Sequence, residues 1–126
     1  QHEVEQVAVR MADVALKEGV SADGGLCYEG KAGKIVEAGK DWWPQAEAVV
    51  GFLNAYQISG DERFLAAASK TWGFIEAHVI DRKNGDWYES LNRDGSFRRG
   101  TKLSLWKCPY HNSRACLEIM QRVPSP

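Results

Sequence analysis

Ile58-Ser59-Gly60-Asp61-Glu62 is the stretch that decides the architecture of this 126-residue chain. A glycine just past a helix takes up a left-handed backbone at little cost, so Gly60 is a natural stop. Asp61 is a natural N-cap, because its carboxylate accepts the free amide hydrogens of a new first turn. Helix therefore follows helix across the turn 59–61. Upstream, the pattern predicts a helix from roughly Pro44 to Ile58, with Pro44 at its first position and Ala46, Val49, Val50 and Leu53 as an apolar stripe. Downstream, a helix is predicted from roughly Glu62 to Val79, with Phe64, Ala68, Thr71, Ile75 and Val79 on one face. Two further helices are predicted, from roughly Glu3 to Glu18 and from roughly Pro109 to Arg122. The first carries Val4, Val7, Ala8, Met11, Val14 and Ala15 at helical spacing and stops at Gly19. The last turns Ala115, Leu117, Ile119 and Met120 inward.

The other connections, 19–43 and 80–108, are long and Gly-rich. Leu26-Cys27-Tyr28 follows Ala22-Asp23-Gly24-Gly25 and is predicted as a short strand. Asn84-Gly85 and Asp94-Gly95 flank the β-prone run Asp86-Trp87-Tyr88-Glu89-Ser90-Leu91, which is a hairpin signal. A short turn at one end and long, strand-bearing loops at the other suit a toroid of helical hairpins. A four-helix bundle is the rival, but such loops exceed its usual connections. No low-complexity linker interrupts residues 1–126, which are expected to form one unit. No strict internal repeat is predicted beyond this alternation.

Composition narrows the functional classes. A net charge of -1 gives no electrostatic reason to bind nucleic acid or an anionic membrane. No apolar run approaches the roughly 20 residues of a membrane span. Gln1-His2-Glu3-Val4-Glu5 lacks the basic and apolar regions of a signal peptide. Cys27, Cys108 and Cys116 have neither CxxC nor zinc-site spacing, and are expected to be reduced thiols in a cytoplasmic protein. Of the five tryptophans, Trp42, Trp43 and Trp106 each sit shortly before a proline that opens a helix. Aromatics placed on loops at helix mouths suit the lining of a pocket.

Two motifs can carry chemistry. In Asp41-Trp42-Trp43-Pro44-Gln45-Ala46-Glu47, Trp43 is placed before the helix and Glu47 in or just beyond its first turn. An indole face stacks on a sugar ring, and a nearby carboxylate accepts hydrogen bonds from its hydroxyls. The structural alternative is that Glu47 only complements the positive end of its own helix. In Trp106-Lys107-Cys108-Pro109-Tyr110-His111-Asn112-Ser113-Arg114-Ala115, Cys108 is biased toward extended backbone and the helix is predicted to begin at Pro109. His111 then lies in the first turn, where the helix dipole favours a neutral ring that acts as a base toward a carbon acid. The alternative is a histidine bonded to a loop carbonyl. Arg114 reads as a pocket residue or a structural ion-pair residue, and His78 as structural. There is no Gly-rich phosphate loop, GxSxG, HExxH or metal-ligand spacing.

Trp42-Trp43-Pro44-Gln45-Ala46-Glu47-Ala48, Asn54-Ala55-Tyr56-Gln57, Gly85-Asp86-Trp87 and Trp106 to Glu118 resemble, in order, the C-terminal part of the N-acylglucosamine 2-epimerase superfamily. The cellobiose 2-epimerase branch is the most similar. This resemblance implies an all-α fold: the C-terminal, four-helix portion of an (α/α)6 barrel with short β-hairpin-bearing loops. It implies that His111 is one of two acid/base histidines, that Glu47 lies in the active site, and that Trp43 and Trp106 contact the sugar; Tyr110, beside His111, is a further candidate for binding it. It implies epimerisation at C2 of a β-1,4-linked disaccharide through an enediol, without a cofactor. The second histidine is expected outside this chain. His2 stands in an H-x-x-E pattern but is too close in sequence to Trp43 to fill that role. A same-superfamily N-acylglucosamine epimerase or aldose–ketose isomerase, and a non-catalytic sugar-binding or assembly module, are the competing readings. A third of a toroid is also expected to self-associate through uncovered apolar flanks.

Overall fold

The computed structural model describes residues 1–123. Helix α1 (His2–Val14) runs into a π-helical turn over Ala15–Gly19. A hairpin follows, β1 (Glu29–Lys31) against β2 (Lys34–Glu37), and then the short strand β3 (Lys40–Asp41). Helix α2 is Trp42–Ser59 and helix α3 is Glu62–Phe74, continued by a second π-helical turn over Ile75–Val79. Strands β4 (Ser90–Leu91) and β5 (Phe97–Arg99) precede helix α4 (Tyr110–Arg122). Antiparallel pairing gives a small sheet of order β3-β4-β5, which ties the two long loops together.

The predicted turn has the expected chemistry. Gly60 caps α2 at φ 70° and donates to the Tyr56 carbonyl at 2.7 Å. The Asp61 side chain accepts from the Arg63 amide at 3.0 Å. A Cβ on Gly60 would meet no atom within 4 Å, so the cost of Gly60→Ala is backbone strain alone. Left-handed backbone costs a residue with a Cβ about 1 kcal/mol. Thermal denaturation should therefore show a melting point lowered by about 4 °C.

Helix α2 is buried around its circumference, because α1, α3 and α4 all pack on it. Phe64, Phe74, Ile75, Val79 and Leu91 fill the core beside it, against its own Phe52. The α3 face reads as predicted, with Phe64, Ala68, Thr71, Ile75 and Val79 all buried. Two other faces are corrected. On α1 Val4, Val7, Met11 and Val14 of the predicted stripe point outward, while Val9 and Ala12 pack on the core, as do Ala15 of the same stripe and Leu16 in the turn that follows. On α4 Ala115 and Ile119 pack inward, but Leu117 and Met120 are exposed. Both helices are apolar on more than one flank, so periodicity alone could not choose the buried one.

The loops also differ from expectation. Leu26-Cys27-Tyr28 contributes one bridge, Val20 to Leu26, and the strand lies further on, at Glu29–Lys31. Its turn uses Ala32 and Gly33 at φ 48° and 76°, the left-handed pair that a tight hairpin needs. Beyond the predicted alternation, the chain repeats a unit. His2–Val14 and Glu62–Phe74 are both 13 residues, and each is followed by a five-residue π turn. A bridge comes next in both, Val20 to Leu26 and Ile80 to Trp87, and then a hairpin, a lysine and a second helix.

Candidate active site

Glu47 stands in the second turn of α2, and His111 in the first turn of α4. Their helices pack side by side, which brings His111 Nδ1 to 2.8 Å from Glu47 Oε1. Arg114, one turn further along α4, donates to the other carboxylate oxygen, Glu47 Oε2. A carboxylate accepts, so Nδ1 is the donating nitrogen of that contact and Nε2 is left clear of Glu47. Glu47 thus does more than complement its own helix: it engages a histidine on the neighbouring one. Arg114 forms an ion pair, and its partner is the site carboxylate. Its planar fork also approaches Glu118 Oε1 at 3.9 Å. Arg122 extends this row to Glu118 and to Gln57 Oε1, at 2.9 and 2.7 Å.

Aromatic rings wall the imidazole. Trp43 lies 5.8 Å from the His111 ring centroid, and Tyr110 lies 5.0 Å away, edge-on. Tyr28 packs edge-on against Trp43 at 6.3 Å. Trp43 belongs to the first turn of α2, inside the helix rather than ahead of it, since the helix already begins at Trp42. Trp42 is buried in the core, with its ring centroid 6.3 Å from that of His111 in a T-shaped arrangement. Of the predicted pocket aromatics, therefore, Trp43 and Tyr110 meet at the histidine. Trp106 stands on the loop before α4, 85% exposed, and pairs with no other ring among the described residues.

Trp43 and Glu47 also border a groove of about 420 Å³ between α1 and α2. Its remaining walls, including Ala8, Met11, Ala12 and Phe52, are largely apolar. Glu47 and Asn54 are the most polar side chains among these walls, and Glu47 is the one that also touches His111. His2 is remote from this contact. It borders a separate cleft with Ile58 and Ser59, at the far end of α2, and Ile58 is about 16 Å along the helix from Glu47. His78 stacks on Phe74 with ring centroids 5.0 Å apart.

The loop ahead of α4 is fixed by Asp86. Burial pushes the Asp86 carboxyl up, but the Lys107 ammonium, the Trp87 amide and Asn112 outweigh it and hold the group below its usual range. Asp23 behaves alike through Lys40 and the Gly25 amide. A depressed carboxyl stabilises the fold above its unfolded pKa of about 3.9, and that contribution is lost as pH falls through the folded value. Near-ultraviolet circular dichroism of the tryptophans should accordingly hold from neutral pH down to about pH 4, and change below it. Loss of signal between pH 7 and pH 5 would contradict this.

The chain belongs to the N-acylglucosamine 2-epimerase (GlcNAc 2-epimerase) family, whose profile matches residues 1–115. It is 41% identical over 121 residues to cellobiose 2-epimerase of Bacteroides fragilis, covering 94% of this chain and 30% of that protein. The structure of cellobiose 2-epimerase from Bacillus thermoamylovorans superposes with a TM-score of 0.86 at 43% identity, over 94% of this chain and 30% of that one. A sugar epimerase from a ruminal bacterium gives a TM-score of 0.90 at 35% identity, over 99% and 32%. The architecture is thus the four-helix share of an (α/α)6 barrel. The chain spans about 30% of the length of the curated relatives it matches. None of its described helices is long and apolar enough to cross a membrane.

Proposed function

We propose that residues 1–126 form the C-terminal portion of the barrel of a sugar 2-epimerase acting on the reducing end of a β-1,4-linked disaccharide such as cellobiose. The observation that carries this reading is the His111 Nδ1–Glu47 contact of 2.8 Å, set among Trp43 and Tyr110. Glu47 holds Nδ1, so Nε2 is the atom that meets substrate. With the sugar in its open aldehyde form, the carbonyl acidifies the C2 hydrogen. His111 Nε2 removes or returns that proton, and an enediolate forms between. Rotation about C2–C3 presents the other face to a second acid/base group, expected from residues outside this chain. The electrons remain on the substrate, so the reaction is neutral in redox. Trp43 stacks on the sugar, Tyr110 borders it, and the exposed indole of Trp106 closes over it. The proposed setting is the cytoplasm, where Cys27, Cys108 and Cys116 remain thiols.

A second reading within the family is N-acylglucosamine 2-epimerisation, which the family's description favours. Assaying cellobiose against N-acetylglucosamine with the full-length protein separates the two. Epimerisation of cellobiose supports the first reading, and turnover of the N-acylated sugar alone supports the second.

The isolated 126 residues are expected to self-associate and to lack epimerase activity. Val4, Met11 and Val14 on α1, Leu117 and Met120 on α4, and Leu103 and Leu105 on the loop leave apolar side chains in water. Light scattering at micromolar concentration should give a mass above that of the monomer. A clean monomer, or measurable epimerisation by the chain alone, would overturn this expectation.

A further inference from the structure

Two lysines are fully buried, each at 0% exposure, and the proposed chemistry uses neither. They occupy the same place in the two repeated units, just ahead of α2 and α4. Lys40 Nζ lies 2.5 Å from Asp23 Oδ2, donates to the Arg93 carbonyl at 2.9 Å, and sits 4.7 Å from the Phe74 ring. Lys107 Nζ lies 2.6 Å from Asp86 Oδ2, donates to the Lys102 carbonyl at 3.2 Å, and sits 5.7 Å from the Trp42 ring. Five residues after each lysine comes a side-chain amide that binds the same loop. Gln45 takes both backbone groups of Leu26 at 2.8 Å, and Asn112 donates to Asp86 Oδ1 at 3.0 Å. Seven residues after each lysine come the two partners of the ion pair, Glu47 and Arg114.

The second clip is built at some cost. Asp86 holds a left-handed backbone at φ 57°, unusual for a residue with a Cβ. A fully buried ammonium must be satisfied by its partners or it destabilises the fold. Both features are over-determined by one carboxylate: Oδ2 takes Lys107 from the loop, and Oδ1 takes Asn112 from the first turn of α4. His111 lies between those two anchors in sequence. Its ring direction therefore follows from where the clip places the start of α4.

We propose that Lys107 is a positioning residue, which through Asp86 and Asn112 sets the start of α4 and so aims His111 Nδ1 at Glu47. Lys40 does the same for α2, so the paired clips fix the register in which Glu47 meets His111 and Arg114. The effect on turnover rests on the acid/base reading of His111, whereas the effect on the ring's hydrogen bond does not. The test is therefore long-range ¹H–¹⁵N spectroscopy of the His111 imidazole in the full-length protein, for Lys107→Met and for Asn112→Ala. In the unaltered chain the neutral ring is expected as a single Nδ1–H tautomer. In either variant, with helical circular dichroism retained, that signal should give way to a mixture of tautomers. Asn112 is only partly buried, so Asn112→Ala decides the matter if Lys107→Met does not fold. In the full-length protein the same variants should lower kcat by about 10-fold or more with KM within about twofold, since a small misplacement of a reacting group is costly. A folded Asn112→Ala whose His111 keeps one Nδ1–H tautomer would overturn the proposal. Loss of the tautomer with turnover unchanged would uphold the positioning and count against the acid/base reading instead.

Discussion

His111→Ala in the full-length protein is expected to lower the turnover of cellobiose by about 10²–10⁴-fold, the range that one positioned acid/base group supplies. The KM should change much less. Trp43 and Tyr110 still stand beside the position, and under the proposed mechanism the substitution removes a proton carrier rather than a stacking surface. Glu47→Gln separates the two halves of the contact. A neutral amide still fills the space, but it no longer demands a hydrogen on Nδ1, and it loses its charge against Arg114. A fall in kcat smaller than that of His111→Ala follows if Glu47 orients the ring. An equal or larger fall would give the carboxylate a direct role in proton transfer. Retention of near-normal turnover by His111→Ala would remove the histidine from the mechanism.

The largest expected effect on stability is that of Phe64→Ala. Phe64 is 1% exposed and stacks on Phe52 with ring centroids 6.4 Å apart, where α2 and α3 meet. Truncating such a ring removes its transfer free energy and leaves a cavity, typically about 3–5 kcal/mol. Domains are stable by about 5–15 kcal/mol in all, so much of the total is at stake. Urea denaturation should show the midpoint lowered by about 2 M. Leu105→Ala is the control. Leu105 is 98% exposed, and its truncation should leave stability within about 0.5 kcal/mol. A Phe64→Ala midpoint close to that of Leu105→Ala would mean that the α2–α3 core is not the stabilising element described.

Sequence was most informative where one local rule had no competitor. Gly60 and Asp61 could be read from backbone conformation and capping alone. The α3 face was legible from Phe64, Ala68, Thr71, Ile75 and Val79, although Leu65 and Trp72 on its flank also pack against the core. On α1 and α4 apolar residues occupy more than one flank, and only the positions of neighbouring helices select Val9 and Ala12 over Val4 and Met11. Glu47, Trp43, Tyr110 and His111 could be singled out by residue type beside a helix start. Their meeting could not, because it depends on α2 and α4 packing side by side. Trp42 and Trp43 are adjacent in sequence, yet one is core and the other borders the site, a distinction set by a helix that begins two residues earlier than Pro44 suggests. The clips were the least legible feature. A lysine ahead of a helix reads as solvated, and only the folded loops reveal Lys40 and Lys107 as buried. The repeated lysine and the amide five residues later, Lys40 with Gln45 and Lys107 with Asn112, were the available signal.

The central claim is that His111 carries a proton to or from C2 of the sugar, and solvent isotope tests it most directly. Cellobiose turned over in D₂O by the full-length protein should yield product bearing deuterium at C2, and the His111→Ala variant should incorporate essentially none in the same time. Epimerisation without deuterium at C2, or incorporation by His111→Ala at the rate of the unaltered protein, would contradict the account.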